Sequence, residues 1–156
     1  MNRAVCTGSF DPVTIGHMDI FKRASKLVDE LIICIFHNVR KKSFLDVETR
    51  VELIRESLIE FKIENARVDS FSGLVTDYLR QENINVIIRG IRSSAELQYE
   101  TNEADVIKAL DPKIETVFLL TDPKYSFVSS SMVRELKTFG ADFKKFVPMC
   151  VAEKIS

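Results

Sequence analysis

Short apolar segments alternate along this chain with longer stretches of three- and four-residue hydrophobic spacing. Arg3–Thr7, Leu31–Phe36, Ala66–Phe71, Asn85–Arg89 and Glu115–Leu120 read as five strands. Leu31-Ile32-Ile33-Cys34-Ile35-Phe36 is apolar on both faces, as in the middle of a parallel sheet covered by helices. Between the strands the period changes. Phe21, Ala24 and Val28 mark a helix over 16–29, and Val51, Ile54, Leu58 and Phe61 mark one over 46–62 that Asp46 would cap. Leu74–Gln81 is a short helix. Ala104, Ile107 and Leu110 share a face over 95–110, stopped by Asp111-Pro112. Ser130–Phe139 ends at Gly140, and the tail over 143–155 is also expected to be helical. Five strand–helix alternations over residues 1–156 predict one Rossmann-like, doubly wound α/β domain with a five-stranded parallel sheet. Such sheets bind ligands beyond the carboxyl ends of their strands, where the strand order reverses.

Composition narrows the class. The chain has 156 residues, and 22 Lys plus Arg against 23 Asp plus Glu leave a net charge of −1. That balance argues against a general nucleic-acid binder but leaves room for a local anion site. The longest apolar run, Leu31–Phe36, is far short of the ~20 residues of a membrane span, and residues 1–8 carry no secretory apolar stretch. Cys6, Cys34 and Cys150 are scattered and odd in number, which suits reduced thiols in a cytoplasmic protein better than disulfides or zinc ligands.

The candidate chemistry lies in four loops. After the first strand come Thr7-Gly8-Ser9-Phe10-Asp11-Pro12-Val13-Thr14-Ile15-Gly16-His17, where a histidine opens a helix whose N-terminal amides favour phosphate. After the second come Arg40-Lys41-Lys42, a phosphate clamp or a solvated basic loop. Strand four ends in Arg89-Gly90-Ile91-Arg92. An arginine leaving a buried strand needs an anion, either a ligand or a nearby Asp or Glu. The fifth strand leads to Tyr125-Ser126-Phe127-Val128-Ser129-Ser130-Ser131, which offers hydroxyls and helix-start amides together. With no P-loop, dinucleotide fingerprint or metal-ligand spacing, the loops suit phosphate chemistry by positioning and charge stabilisation.

Gly8-Ser9-Phe10-Asp11-Pro12 with Thr14-Ile15-Gly16-His17 resembles the first motif of the nucleotidylyltransferase superfamily, the (T/H)xGH signature. Val128-Ser129-Ser130-Ser131-Met132-Val133-Arg134 resembles its second, a serine-rich ISSTxxR-type segment. Arg89-Gly90-Ile91-Arg92 ahead of Tyr99-Glu100, the Tyr125–Ser131 segment and Lys41-Lys42 are similar to bacterial phosphopantetheine adenylyltransferases, with motif order agreeing over essentially the whole chain.

The resemblance implies reversible adenylyl transfer from ATP to 4′-phosphopantetheine, giving dephospho-coenzyme A and pyrophosphate. It implies His17 and Lys41 as catalytic residues. Ser9, Lys41, Val75 and Arg89 would hold the acceptor, with Leu74 beside its arm. Ser9, Phe10, His17, Gly90, Ile91, Arg92, Glu100 and Tyr125, Ser126, Phe127, Val128, Ser129, Ser130 and Ser131 would hold ATP. Mg²⁺ would arrive with the nucleotide and no residue would be a dedicated metal ligand. The family implies a homohexamer and suggests feedback by coenzyme A. Five positions depart from the family pattern: Ser9 stands for a Thr, Cys6-Thr7 for an aromatic-Pro pair, Gly73 for a common Asp and Tyr125 for a common Trp. None removes a charged reacting group. Two readings compete: a nucleotidylyltransferase with another acceptor, such as a phosphorylated alcohol or nicotinamide mononucleotide, and a non-catalytic nucleotide-binding module.

Overall fold

The computed structural model describes residues 1–156. Its strands are β1 (Arg3–Gly8), β2 (Glu30–Phe36), β3 (Ala66–Phe71), β4 (Val86–Ile91) and β5 (Glu115–Leu120). All pair in parallel, in the order β3-β2-β1-β4-β5. The chain winds outward from β1 through β2 to β3, then returns to lay β4 on the free side of β1. The order therefore reverses between β1 and β4, and a crevice opens beyond Gly8 and Ile91.

The helices are α1 (Ile15–Ser25), α2 (Val47–Glu60), α3 (Val75–Glu82), α4 (Ser94–Leu110), α5 (Ser130–Thr138) and α6 (Met149–Ile155). Alternation along the central strands splits the core. Ala4, Cys6, Leu31, Ile33, Ile35 and Ile88 face α1, α2 and α6 in a cluster of 21 buried residues. Val5, Ile32, Cys34 and Ile87 face Tyr78, Leu79, Ile84 and Ile114 in a cluster of 8. The second face is thinner because α4 buries only Glu100. Ala104 and Ile107 are half-buried, but Leu110, expected on the same buried face, is 56% exposed.

Other boundaries differ from expectation for local reasons. Helix α1 stops at Ser25 rather than Asp29, and Asn65 Nδ2 donates to the carbonyls of Ser25, Val28 and Asp29 there. Strand β4 continues past Arg89, pairing Gly90 with Leu119 and Ile91 with Leu120. The C-terminal stretch is a short 3₁₀ turn, Lys144–Phe146, and then α6. Val147 is held extended before Pro148, which breaks the expected continuous helix. Asp46 caps α2 as expected, accepting from Thr49 N–H at 2.7 Å. Cys6 and Cys34 are buried in the sheet, and burial pushes both thiols up to about 12. No helix is long and apolar enough to cross a membrane.

Candidate active site

Beyond β1 and β4 lies a cleft of about 670 Å³. It gathers Ser9, Phe10 and His17 from the first loop, Arg89, Gly90, Arg92 and Glu100 from β4 and α4, and Tyr125, Val128, Ser129, Ser130 and Ser131 from the last loop. A smaller cavity of about 250 Å³ adjoins it and includes Val75; Thr7, Gly8, Ser9, Arg89, Tyr99 and Glu100 line both.

The Thr14-Ile15-Gly16-His17 stretch is a helix N-terminus in which the side chain at the third position is an imidazole. Thr14 caps α1, its hydroxyl accepting from His17 N–H at 3.3 Å. Thr14 N–H in turn donates to His17 Nδ1 at 3.0 Å, so the two residues satisfy each other's orphan groups. A lone pair on Nδ1 accepts that bond, which leaves the proton of the neutral ring on Nε2. Burial, reinforced by Arg92 and Arg89, lowers the imidazole to about 4. At pH 7 His17 is therefore an uncharged Nε2–H donor. Phe10 stands edge-on to the ring at 5.1 Å and Phe21 stacks at 6.3 Å, fixing its plane.

Two glycines make this packing possible. A Cβ on Gly8 would fall 2.8 Å from the Phe10 ring, which is itself wedged between His17 and Phe21. A Cβ on Gly90 would fall 2.8 Å from Ile20 Cγ1. Gly90 thus lets β4 approach α1, a structural demand separate from any ligand approaching its backbone.

Arg89 finds its anion within the chain. Its Nε and Nη2 meet Glu100 at 2.9 and 2.5 Å, and Nη1 donates to the Thr7 carbonyl. Glu100 is 7% exposed, whereas the Arg89 side chain keeps 30% exposure, so the carboxylate is the desolvated partner of the pair. Arg92 Nε meets Glu96 at 3.0 Å, and Nη1 reaches the Val128 carbonyl at 3.3 Å. Both carboxylates lining the cleft are thus committed to arginines. Neither is a free general base or a free metal ligand, and no cluster of three or more His, Cys, Asp or Glu could hold a metal ion.

The three serines do different work, so they are not redundant caps. Ser129 caps α5, accepting from Met132 N–H at 3.0 Å. Ser130 Oγ donates to the Pro12 carbonyl at 2.7 Å, and Ser131 Oγ accepts from Arg134 Nη2 at 3.3 Å. Arg134 Nη1 also donates to the Asp11 carbonyl at 2.6 Å. The Asp11 carboxylate accepts from Phe44 and Leu45 N–H at 2.7 and 2.8 Å, tying the first loop to the segment after the lysines. Three arginines, two glutamates and the N-terminal ends of α1, α4 and α5 line the cleft, and helix N-termini favour anions.

Some expected residues stand apart. Lys41 lies on an exposed turn and lines neither cavity, Leu74 is 59% exposed, and Ile91 is buried. Ser126 and Phe127 are exposed, Phe127 packing edge-on against Phe146 at 5.7 Å. Conversely, the cleft also uses Thr14, Tyr99 and Arg134. Thr14 and Arg134 sit inside the two motifs already singled out, and a cap three residues before a histidine was a signal for Thr14. Tyr99 was visible only as the neighbour of Glu100, with no sign of its own that it faces the cleft.

This fold and cleft define a nucleotidyl-transferring class, and the model of the cytidylyltransferase-like family matches residues 5–136. A nicotinic acid mononucleotide adenylyltransferase of Plasmodium falciparum, solved in complex with NaAD, shares the fold: its TM-score is 0.63 at 17% identity, covering 99% of this chain and 94% of that one. A protein of Shouchella clausii named phosphopantetheine adenylyltransferase is 48% identical over 99% of this chain and 96% of its own length. One of the same name from Dictyoglomus thermophilum is 47% identical over 99% and 93%. The chain belongs to the phosphopantetheine adenylyltransferase family.

Proposed function

We propose that the cleft transfers the adenylyl group of ATP to 4′-phosphopantetheine, reversibly and in one in-line step. An oxygen of the acceptor phosphate bonds to the α-phosphorus as the bond to the β-phosphate oxygen breaks. Dephospho-coenzyme A forms and pyrophosphate leaves. Family membership over 99% of the chain supports the reaction. The observation that carries the mechanism is the His17 tautomer: Nδ1 is occupied by Thr14 N–H and Nε2 keeps its proton. The ring can give a hydrogen bond to an oxygen of the α-phosphate but has no free site from which to take a proton. None is needed, because a phosphate acceptor is already ionised at pH 7. Catalysis then rests on geometry and on donors placed where negative charge grows.

Ser9, Phe10 and the start of α1 face one side of the ATP phosphates. Tyr125, Val128, Ser129, Ser130 and Ser131 face the other, with Gly90, Arg92 and Glu100 along the nucleotide, while Ile91, Ser126 and Phe127, which line neither cavity, would meet it only after a local rearrangement. Arg89 and Lys41 hold the acceptor phosphate, and Leu74 and Val75 its arm. The pairing of Arg89 with Glu100 means the acceptor phosphate must share or displace a carboxylate, and Lys41 must fold inward from its exposed turn. Both cleft glutamates are already paired, so Mg²⁺ would be held by the nucleotide's own phosphates, whose charge it would neutralise. The chain works as a cytoplasmic homohexamer open to coenzyme A feedback. Leu97, Tyr99, Val106 and Leu110 on α4 and Val117 and Leu120 on β5 are exposed apolar residues that such an assembly would cover.

Offering equal 4′-phosphopantetheine and nicotinamide mononucleotide with ATP, and identifying products by mass, tests the acceptor. Dephospho-coenzyme A should dominate; a dinucleotide product instead would reassign the site. ATP binding with no product from either acceptor would favour the non-catalytic module.

A further inference from the structure

Arg50 is the most unusual charged residue of the chain outside the cleft. It stands on α2, is 4% exposed, and takes part in none of the chain's ion pairs. Its Nε is buried with no hydrogen-bond partner. A buried guanidinium without a carboxylate is costly unless it does something the fold or the site requires. Its one protein partner is informative: Nη1 donates to the Ser9 carbonyl at 2.9 Å.

The Ser9–Phe10 peptide bond is trans, so its C=O and N–H point in opposite directions. Arg50 does not line the cleft, whereas Ser9 and Phe10 do. With the Ser9 carbonyl drawn toward Arg50, the Phe10 N–H points the opposite way, away from the guanidinium. Phe10 lies outside every helix and strand, and no group of the chain accepts its N–H. Phe10 also has φ 45, a left-handed conformation that a bulky side chain adopts only when its surroundings hold it there. A peptide held at one end by a buried cation, with a free donor at the other, is a fixed half of an anion site.

We propose that Arg50 is a positioning residue for adenylyl transfer: by gripping the Ser9 carbonyl it locks the Ser9–Phe10 peptide so that the Phe10 N–H faces a phosphate oxygen of the bound nucleotide. Its positive charge, carried along the peptide dipole, strengthens that donor. The role concerns the nucleotide phosphates and not the acceptor, and it rests on the reaction proposed above.

The test compares wild type with Arg50→Met and Arg50→Lys. Losing one charge-assisted hydrogen bond predicts that Arg50→Met lowers kcat/KM for ATP about 10- to 100-fold, while KM for 4′-phosphopantetheine stays within about twofold. Arg50→Lys, which keeps a cationic donor, should recover most of the loss. Independently, adding ATP and Mg²⁺ to wild type should move the Phe10 amide proton downfield, and this movement should vanish in Arg50→Met. Parallel loss toward both substrates would make Arg50 merely structural and overturn the proposal. So would unchanged kinetics, or a Phe10 amide that ignores ATP in wild type. If Arg50→Met does not fold, the lysine variant and the wild-type amide titration decide. A wild type inactive on 4′-phosphopantetheine would sink the reaction, while the amide titration with ATP would still judge the peptide's orientation.

Discussion

Titrating His17 from pH 7 toward pH 4 perturbs the group on which the mechanism turns. Its ordinary value is 6.5, and in the folded chain it falls to about 4, chiefly through burial, with Arg92 and Arg89 adding repulsion. The folded state therefore resists a proton that the unfolded chain accepts. The resulting stability is present above pH 6.5 and is lost as pH falls from there toward 4. Each tenfold difference in proton affinity between the folded and unfolded chain is worth ~1.4 kcal/mol, so His17 should cost the fold about 2 kcal/mol between pH 7 and pH 5. Urea unfolding of wild type and His17→Gln at both pH values isolates this contribution, because glutamine does not titrate and other groups cancel in the difference. Long-range ¹H–¹⁵N correlation spectra read the ring directly; with only His17 and His37 present, assignment needs one variant. Nδ1 should be unprotonated and Nε2 protonated down to about pH 5. A His17 that titrates near 6.5, or carries its proton on Nδ1, would refute both the tautomer and the exclusion of a base role.

Further expectations follow from the same geometry. His17→Ala should lower kcat at least ~100-fold, the usual effect of one lost transition-state donor, with ATP binding preserved in calorimetry; near-normal turnover would remove His17 from the mechanism. Arg89→Ala should weaken 4′-phosphopantetheine far more than ATP in steady-state kinetics, and also lower Tm because Glu100 is left buried and unpaired. Equal losses for both ligands would show the acceptor site is misplaced. Gly90→Ala puts a methyl 2.8 Å from Ile20 Cγ1 and should destabilise by ~1–3 kcal/mol; an unchanged urea midpoint would mean β4 and α1 can separate freely.

The strands were legible because β1, β2 and β4 bury both faces, which leaves apolar runs no surface helix would carry. The crevice followed, since strand order and the carboxyl ends constrain it once the βαβ pattern is recognised. The outer face of α4 was not legible. The spacing of Ala104, Ile107 and Leu110 is truly helical, but periodicity cannot say whether a partner for that face lies in the same chain. The C-terminal break was written in Val147-Pro148, but the apolar residues on either side carry a helical spacing that masks it. Arg89 announced an anion, and Glu100 supplies one from within the chain. Arg50 was invisible, because a charged residue one turn into an amphipathic helix reads as solvent-exposed. Only the folded chain shows it reaching Ser9 across 41 positions.

Pyrophosphate release from ATP and Mg²⁺, measured with and without 4′-phosphopantetheine, tests the central claim most directly. Release that depends on the acceptor, with dephospho-coenzyme A formed in equal amount, is the predicted result. Silence in both arms, or release that ignores the acceptor, would contradict adenylyl transfer by this cleft.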